Sequence, residues 1–315
     1  MELAQAPFFT DVQPGPEGGA AHWMDTSDGK RIRVGHWAAP NAKGTVLLFP
    51  GRTEYIEKYG LTAAELGRRG LATMAIDWRG QGLADRLLND VRVGHVDVFS
   101  DYQKDVAAMV RAARGLGLPR PFYLLAHSMG GCIGLRAVME GLNVQAAAFT
   151  GPMWGIRIAR HMLPAAHILG RIMPLIGRGH LLPPGTKLDP YVLADPFDGN
   201  MLTTHQPMFE MMREQLLAHP DLSLGGPSII WLREALAETA HLAGRPSPNL
   251  PCLAFLGSNE RIVHIPRIHQ RMATWKQGRL EIVSGGEHEV LMEGPEITTP
   301  IYDAIATLFL GTADR

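Results

Sequence analysis

The chain has 315 residues and a formal net charge of -1, with 30 Lys and Arg against 31 Asp and Glu. That length suits one large α/β domain or one domain carrying an insertion. The charge balance carries no general attraction for nucleic acid or for a strongly acidic partner. Two cysteines, Cys132 and Cys252, lie in apolar runs and read as small core residues, so neither a disulfide framework nor a metal site follows from them. The opening MELAQAPFFT lacks a basic region and a long apolar core, so no secretory signal is read there. No apolar run reaches membrane-spanning length, and a cytoplasmic protein is expected.

Residues 1–20 are rich in Pro and Gly and read as a loose N-terminal arm. His22–Met24 and Ile32–Ala39 flank the turn signal Ser27-Asp28-Gly29-Lys30 and predict a β-hairpin. Thr45–Pro50 is a buried strand, Glu57–Arg69 an amphipathic helix closed by Gly70, and Leu71–Asp77 the next strand. Asp101–Gly115 is helical. Residues 122–126 form an apolar strand, Gly130–Gly141 a helix, and Ala146–Thr150 another strand. Residues 153–245 break the alternation with many prolines, helical patches and no clear strand. Strand and helix then alternate again, over Cys252–Gly257, Ile265–Trp275, Arg279–Val283 and Thr298–Leu310. Alternation of this kind implies a mostly parallel sheet covered by helices on both faces. The predicted organisation is an α/β core over 21–152 and 246–315. A helical cap over 153–245 is inserted above the C-terminal edge of the sheet, where open α/β folds bind ligands.

Between the strand at 122–126 and the helix after it stands Ala126-His127-Ser128-Met129-Gly130. A strand that turns abruptly into a helix around a serine is a nucleophile elbow, and the turn demands small residues two positions before and after the serine. Gly130 fits, and Ala126 is the next smallest choice. Taken alone, the string also suits a serine that only caps the following helix. The other groups that acyl transfer needs decide between the two. Glu260, in Gly257–Val263, follows one buried strand, and His288, in Gly285–Glu289, follows the last. Three strand ends thus offer a serine, a carboxylate and an imidazole to one rim, in the order Ser, acid, His. In this reading Ser128 is the nucleophile, His288 its base, and Glu260 the group that fixes the imidazole tautomer. The bland alternative for Glu260 is a solvated carboxylate paired with Arg261. His127 should point away along the strand and reads as structural. An oxyanion hole is expected from the backbone N–H of Met129 and that of Arg52, in the loop Pro50–Glu54, with Gly51 allowing close approach. Asp77 and Arg79 are expected to pair and shape the loop beneath the site. No cofactor and no metal is expected, because no His/Cys/Asp cluster shows metal-ligand spacing.

The chain resembles the bacterial lysophospholipase and monoacylglycerol lipase group of α/β-hydrolases, the serine-aminopeptidase-like family. The resemblance runs from about Thr45 to Met292. It rests on PGRTEYIEKY (50–59), DWRGQGLADR (77–86), GHVDVFSDYQKDV (94–106), LLAHSMGG (124–131), TGPMWGI (150–156), LGGPS (224–228), GSNERIV (257–263) and GGEHEVLME (285–293). It implies an α/β-hydrolase fold and a serine hydrolase of carboxylic esters. Pro50-Gly51-Arg52 and the GGPS segment resemble the lysophospholipase branch, whereas monoglyceride lipases usually show His-Gly at Pro50-Gly51. Ala126 replaces the usual Gly of the elbow, Glu260 stands where many relatives carry Asp, and His264 replaces a frequent Asp.

The expected substrate is a small-molecule or lipid ester, with a lysophospholipid or monoacylglycerol first. A proline-iminopeptidase-like peptidase and a small-ester carboxylesterase are the enzymatic alternatives. The peptidase would need cap carboxylates for a free amino group, and Asp195, Asp198, Glu210 and Glu214 are the candidates. A dehalogenase would need a carboxylate where Ser128 stands. A non-catalytic binding protein of the same fold is the non-enzyme alternative, and it would normally lack one of the three groups. From Gly141 to Leu188 there is no Asp or Glu, while Arg157, Arg160, Arg171, Arg178 and Lys187 stand among Ile, Leu, Met and Pro. One-signed charge on an apolar background suits an anionic lipid surface, so peripheral contact with the inner membrane face is an expectation. The plain alternative is a solvated cap helix. Trp154 and Trp231 either line an entrance or staple the cap to the body. The sequence leaves the oligomeric state open.

Overall fold

A computed structural model describes residues 3–312. Met1, Glu2 and 313–315, at the ends of the expected arm and core, lie outside the described residues, as does the side chain of Arg160.

Among the described residues, nine strands form one sheet in the order β1-β2-β3-β5-β4-β6-β7-β8-β9. They are β1 (Gln5–Ala6), β2 (Ala20–Asp25), β3 (Arg31–Trp37), β4 (Thr45–Phe49), β5 (Ala72–Asp77), β6 (Phe122–His127), β7 (Ala147–Thr150), β8 (Cys252–Gly257) and β9 (Gly278–Val283). From β5 through β9 every neighbouring pair is parallel, while β1, β2 and β3 join antiparallel at one edge. The helices are α1 (Gly60–Arg68), α2 (Tyr102–Gly115), α3 (Ser128–Met139), α4 (Leu163–Leu175), α5 (Tyr191–Ala194), α6 (Gln206–Ala218), α7 (Ile229–Ala243), α8 (Ile265–Ala273) and α9 (Pro295–Gly311). This is the α/β-hydrolase architecture.

The central strands are buried along their whole length, which is why they read as continuous apolar runs. Their period of two sorts the core into two layers. Leu47, Phe49, Met74, Leu124 and Ala126 pack on one face with Met109, Ile133, Trp231 and Ile268. Val46, Leu48, Ala75, Tyr123 and Leu125 pack on the other with Leu66, Ile301 and Phe309. Between β7 and β8 the chain adds α4–α7 and no strand of the sheet. Of these, α7 packs into the core through Trp231, Ala235 and Leu242.

The N-terminal stretch departs from the expected loose arm. Within it β1 pairs with β2, the Arg33 guanidinium donates to the Pro7 carbonyl, and the Phe9 N–H donates to Glu57. The arm is fixed by long-range partners that composition does not display. The segment expected as one helix from Glu57 splits into a 3₁₀ turn, Ile56–Tyr59, followed by α1.

Candidate active site

Parallel strands point their C-terminal ends to one rim, and the loops there carry the expected groups. Ser128 follows β6, Glu260 follows β8 and His288 follows β9, with β7 lying between the first two. Ser128 opens α3 with φ of +48°, a left-handed backbone rarely adopted by a serine, which turns its side chain out of the strand–helix junction. The turn brings α3 hard against β4. A Cβ on Gly130 would lie 2.1 Å from the Phe49 carbonyl oxygen and 2.5 Å from that of Pro50, so only glycine fits. Ala126 is tolerated because Gly134 faces it; a Cβ on Gly134 would sit 3.3 Å from that of Ala126.

Ser128 Oγ lies 2.9 Å from His288 Nε2, and His288 Nδ1 lies 2.7 Å from Glu260 Oε2. A carboxylate only accepts, so Nδ1 carries the proton and Nε2 is free to accept from the serine hydroxyl. The second oxygen, Glu260 Oε1, accepts from the N–H groups of Ile262 (2.6 Å) and Val263 (3.1 Å). Burial works to raise the Glu260 carboxyl. The hydrogen bond and charge of His288, with the two N–H groups, outweigh it and hold the group below the usual carboxylate range. The alternative pairing with Arg261 does not occur: that guanidinium bonds Glu287 and the Asn200 carbonyl.

Met129 and Arg52, the expected oxyanion donors, both line the cavity into which Ser128 opens. The loop carrying Arg52 is held on every side. Trp78 Nε1 donates to the Pro50 carbonyl, Gln81 Nε2 to those of Gly51 and Glu54, and the Gly51 N–H to the Glu54 carboxylate. Thr53 takes φ of +68°, a second strained position beside the site. The segment DWRGQG therefore acts on the loop through Trp78 and Gln81. The expected Asp77–Arg79 pair is replaced by Asp77 with Arg33 (2.7 Å) and Arg79 with Asp105 (2.7 Å) and Asp28 (2.9 Å).

A buried charge cluster lies beside the imidazole. Lys58 Nζ is 2.6 Å from both Glu54 Oε1 and Glu289 Oε2, and Tyr59 Oη donates to Glu54. Residue by residue the sequence offers no metal-ligand spacing, yet the fold gathers ligand atoms of Glu54, His127 and Glu289 within 4.8 Å of one another. A cation, the Lys58 ammonium, already bridges the two carboxylates. Burial works against the charges on Lys58 and Glu54. Their attraction prevails, raising Lys58 above its ordinary value and lowering Glu54 to about 2. His127 Nδ1 lies 3.0 Å from both the Thr150 carbonyl and hydroxyl oxygens, and burial lowers the ring to about 4, so it is neutral at pH 7. Sequence reasoning missed this cluster. In the sequence Glu54 and Lys58 stand four positions apart and Glu289 directly follows His288. The cluster ties the Arg52 loop to the residue following His288. We expect Lys58→Met to cost about 3–5 kcal/mol in urea denaturation at pH 7, because it leaves two buried carboxylates facing each other. The loss should shrink as pH falls and one carboxyl takes a proton.

The cavity has a volume of about 340 Å³ and is lined mainly by apolar side chains from the core loops and the 153–245 segment, among them Met153, Val192, Met212, Leu216, Leu224 and Trp231. Trp154 instead donates to the Gly131 carbonyl and stacks on Trp275, stapling the start of the segment to the core.

Residues 40–295 match the family described as serine aminopeptidase, S33. Lysophospholipase L2 of Escherichia coli is 32% identical over 290 residues, covering 88% of this chain and 84% of that protein. A probable lysophospholipase L2 of Haemophilus influenzae is 26% identical and covers 82% of each chain. Among solved structures, a soluble variant of monoglyceride lipase from Saccharomyces cerevisiae superposes with a TM-score of 0.71 at 18% identity, over 98% of this chain and 99% of that one. This chain belongs to the serine aminopeptidase, S33, family of α/β-hydrolases.

Proposed function

We propose that this protein hydrolyses the carboxylic ester of a lysophospholipid or monoacylglycerol through an acyl-enzyme on Ser128. The observation that carries the reading is the unbroken relay from Ser128 through His288 to Glu260, opening into an apolar cavity. Ser128 Oγ attacks the ester carbonyl while Nε2 of His288 takes its proton. The oxyanion forms against the backbone N–H groups of Arg52 and Met129. The imidazolium, stabilised by Glu260, gives its proton to the departing alcohol. Water then attacks the acyl group by the same relay, releasing a fatty acid and the serine. The similarity to lysophospholipase L2 supports the substrate class.

The peptidase alternative finds no free carboxylate for an amino group among the described residues lining the cavity. Asp195, Asp198, Glu210 and Glu214 do not line the cavity, and the carboxylates that do, Glu54 and Glu289, are engaged by Lys58. A panel of lysophosphatidylcholine, monoolein, p-nitrophenyl acetate and proline p-nitroanilide tests the reading. Turnover of the long-chain lipids should exceed that of the acetate, and the anilide should be inert. Hydrolysis of the anilide alone would overturn the reading.

We further take residues 153–245 as a cap whose helix α4 rests on an anionic membrane face. Ile168, Ile172, Leu175 and Ile176 are 56, 50, 85 and 60% exposed. Arg157, Arg171 and Arg178 are exposed close by in sequence and make no ion pair among the described residues. Two aliphatic side chains leaving an interface forfeit about 3 kcal/mol, and each arginine near an anionic surface adds about 1 kcal/mol, screened by salt. We expect Ile172→Ser with Leu175→Ser to weaken sedimentation with phosphatidylglycerol vesicles by about 100-fold. The ratio of activity on vesicle-borne lysophospholipid to that on a soluble ester should fall with it. An unchanged ratio at low and high salt would make α4 a solvated face.

A further inference from the structure

We infer that the Arg52 side chain is the receptor for a phosphodiester in the substrate, which makes lysophospholipids rather than monoacylglycerols the preferred esters. The inference rests on the ester-hydrolase reading above and narrows it.

Arg52 lines the same cavity as Ser128. Its guanidinium has five N–H donors. Nη1 donates to the Gly225 carbonyl at 2.7 Å, and the group stands over the Trp231 ring at 5.8 Å from its centroid. It makes no ion pair among the described residues, and it is half-buried rather than out in solvent. The carboxylates lining the cavity cannot compensate it, because Lys58 bridges them. Burial lowers its pKa to about 10, so it remains a cation at neutral pH. A half-buried guanidinium with no counter-ion among the described residues, facing an apolar cavity, is a site for an anion that binds bidentately.

The covalent lengths select which anion. Arg52 belongs to the loop expected to supply an oxyanion donor, so its side chain starts where the ester carbonyl would sit. From Cα to Nη there are six bonds. From the ester carbonyl carbon of a 1-acyl lysophospholipid to its phosphorus there are also six. Each spans about 7 Å extended. A phosphodiester can therefore reach the guanidinium while the carbonyl occupies the hole. A monoacylglycerol offers only a neutral hydroxyl there. A fatty-acid carboxylate is the other anion this chemistry would accept.

The test compares kcat/KM for lauroyl lysophosphatidylcholine with that for monolaurin, both below their micellar concentrations, in wild type, Arg52→Gln and Arg52→Lys. Any disturbance of the loop's backbone affects both substrates and cancels in the ratio. We expect Arg52→Gln to lower the ratio about 10- to 100-fold, through KM for the phospholipid, and Arg52→Lys to restore part of it. An unchanged ratio would make Arg52 only a clamp on the Gly225 segment and overturn the inference. Wild-type protein that hydrolyses neither lipid would overturn the ester-hydrolase reading instead. A second arm is independent of turnover: binding of dodecylphosphocholine and of dodecanoate to Ser128→Ala protein, followed by tryptophan fluorescence. Tighter dodecylphosphocholine binding that is lost with Arg52→Gln supports the phosphodiester. Arg52-dependence confined to dodecanoate would assign the site to the fatty-acid product and overturn it.

Discussion

Ser128→Ala should lower kcat on lysophosphatidylcholine by about 10⁴-fold or more and abolish covalent labelling by a fluorophosphonate probe. In the proposed mechanism the hydroxyl forms the acyl bond, and its 2.9 Å contact with His288 Nε2 supplies the base. Alanine removes that oxygen and little else. The left-handed backbone at Ser128 costs an alanine about what it costs a serine, and the close approach of Gly130 to β4 is untouched. Stability should therefore stay within about 1 kcal/mol of wild type, so the loss is one of chemistry. Peptide mapping of the labelled protein identifies the residue. Labelling at another serine, or retained turnover in the variant, would remove Ser128 from the mechanism.

The sheet was legible because its central strands are buried on both faces. A run such as Cys252–Gly257 has no polar position to blur its ends, and sequence and structure agree there residue for residue. At the elbow the sequence ended the strand at Ala126 and began the helix at Gly130, whereas the structure joins His127 directly to Ser128. Hydrophobic period cannot register that junction, since it depends on one positive φ and on the missing Cβ of Gly130. The N-terminal stretch was illegible for a different reason. Its hydrogen bonds reach Arg33 and Glu57, tens of residues away, and a two-residue strand has no period to detect.

In the site, the three groups of the relay were readable from order and placement, because each follows a strand that announces itself. What surrounds them was not. Arg33 was read only as part of a hairpin strand, yet it is fully buried between Asp77 and Glu57. Lys58 lay in a helix read as amphipathic, yet it is buried between carboxylates 4 and 231 positions away in the chain. Buried charge is placed by partners in space, and only folding reveals those partners. The same limit applied to Arg52. Its expected backbone role follows from its position after a strand, but that its side chain has no counter-ion among the described residues appears only in the folded chain.

Glu260→Gln should fold and lose about 10⁴-fold in kcat, by forcing the wrong imidazole tautomer. The carboxylate has two jobs that one amide cannot share. Oε1 accepts from the N–H groups of Ile262 and Val263, and Oε2 accepts from His288 Nδ1. In glutamine the single oxygen must stay with the two backbone donors, since burying them unpaired costs more than turning the ring's bond around. The amide NH₂ then faces His288 and donates to Nδ1. The ring proton moves to Nε2, where it faces Ser128 and blocks proton abstraction. Glu260→Asp keeps two acceptors on a shorter arm and should retain far more activity than the glutamine variant. The two are separated by the imidazole ¹⁵N shifts of His288, with the proton on Nδ1 in wild type and Glu260→Asp and on Nε2 in Glu260→Gln. Stability gives an independent check. The Glu260 carboxyl is held below its ordinary range in the folded state, so its stabilisation is present above the unfolded pKa and fades as pH falls through the folded one. Wild type should therefore exceed Glu260→Gln in denaturant midpoint at pH 7, and the gap should narrow in acid. Near-wild-type turnover in Glu260→Gln, with Nδ1 still protonated, would mean that another group orients the imidazole.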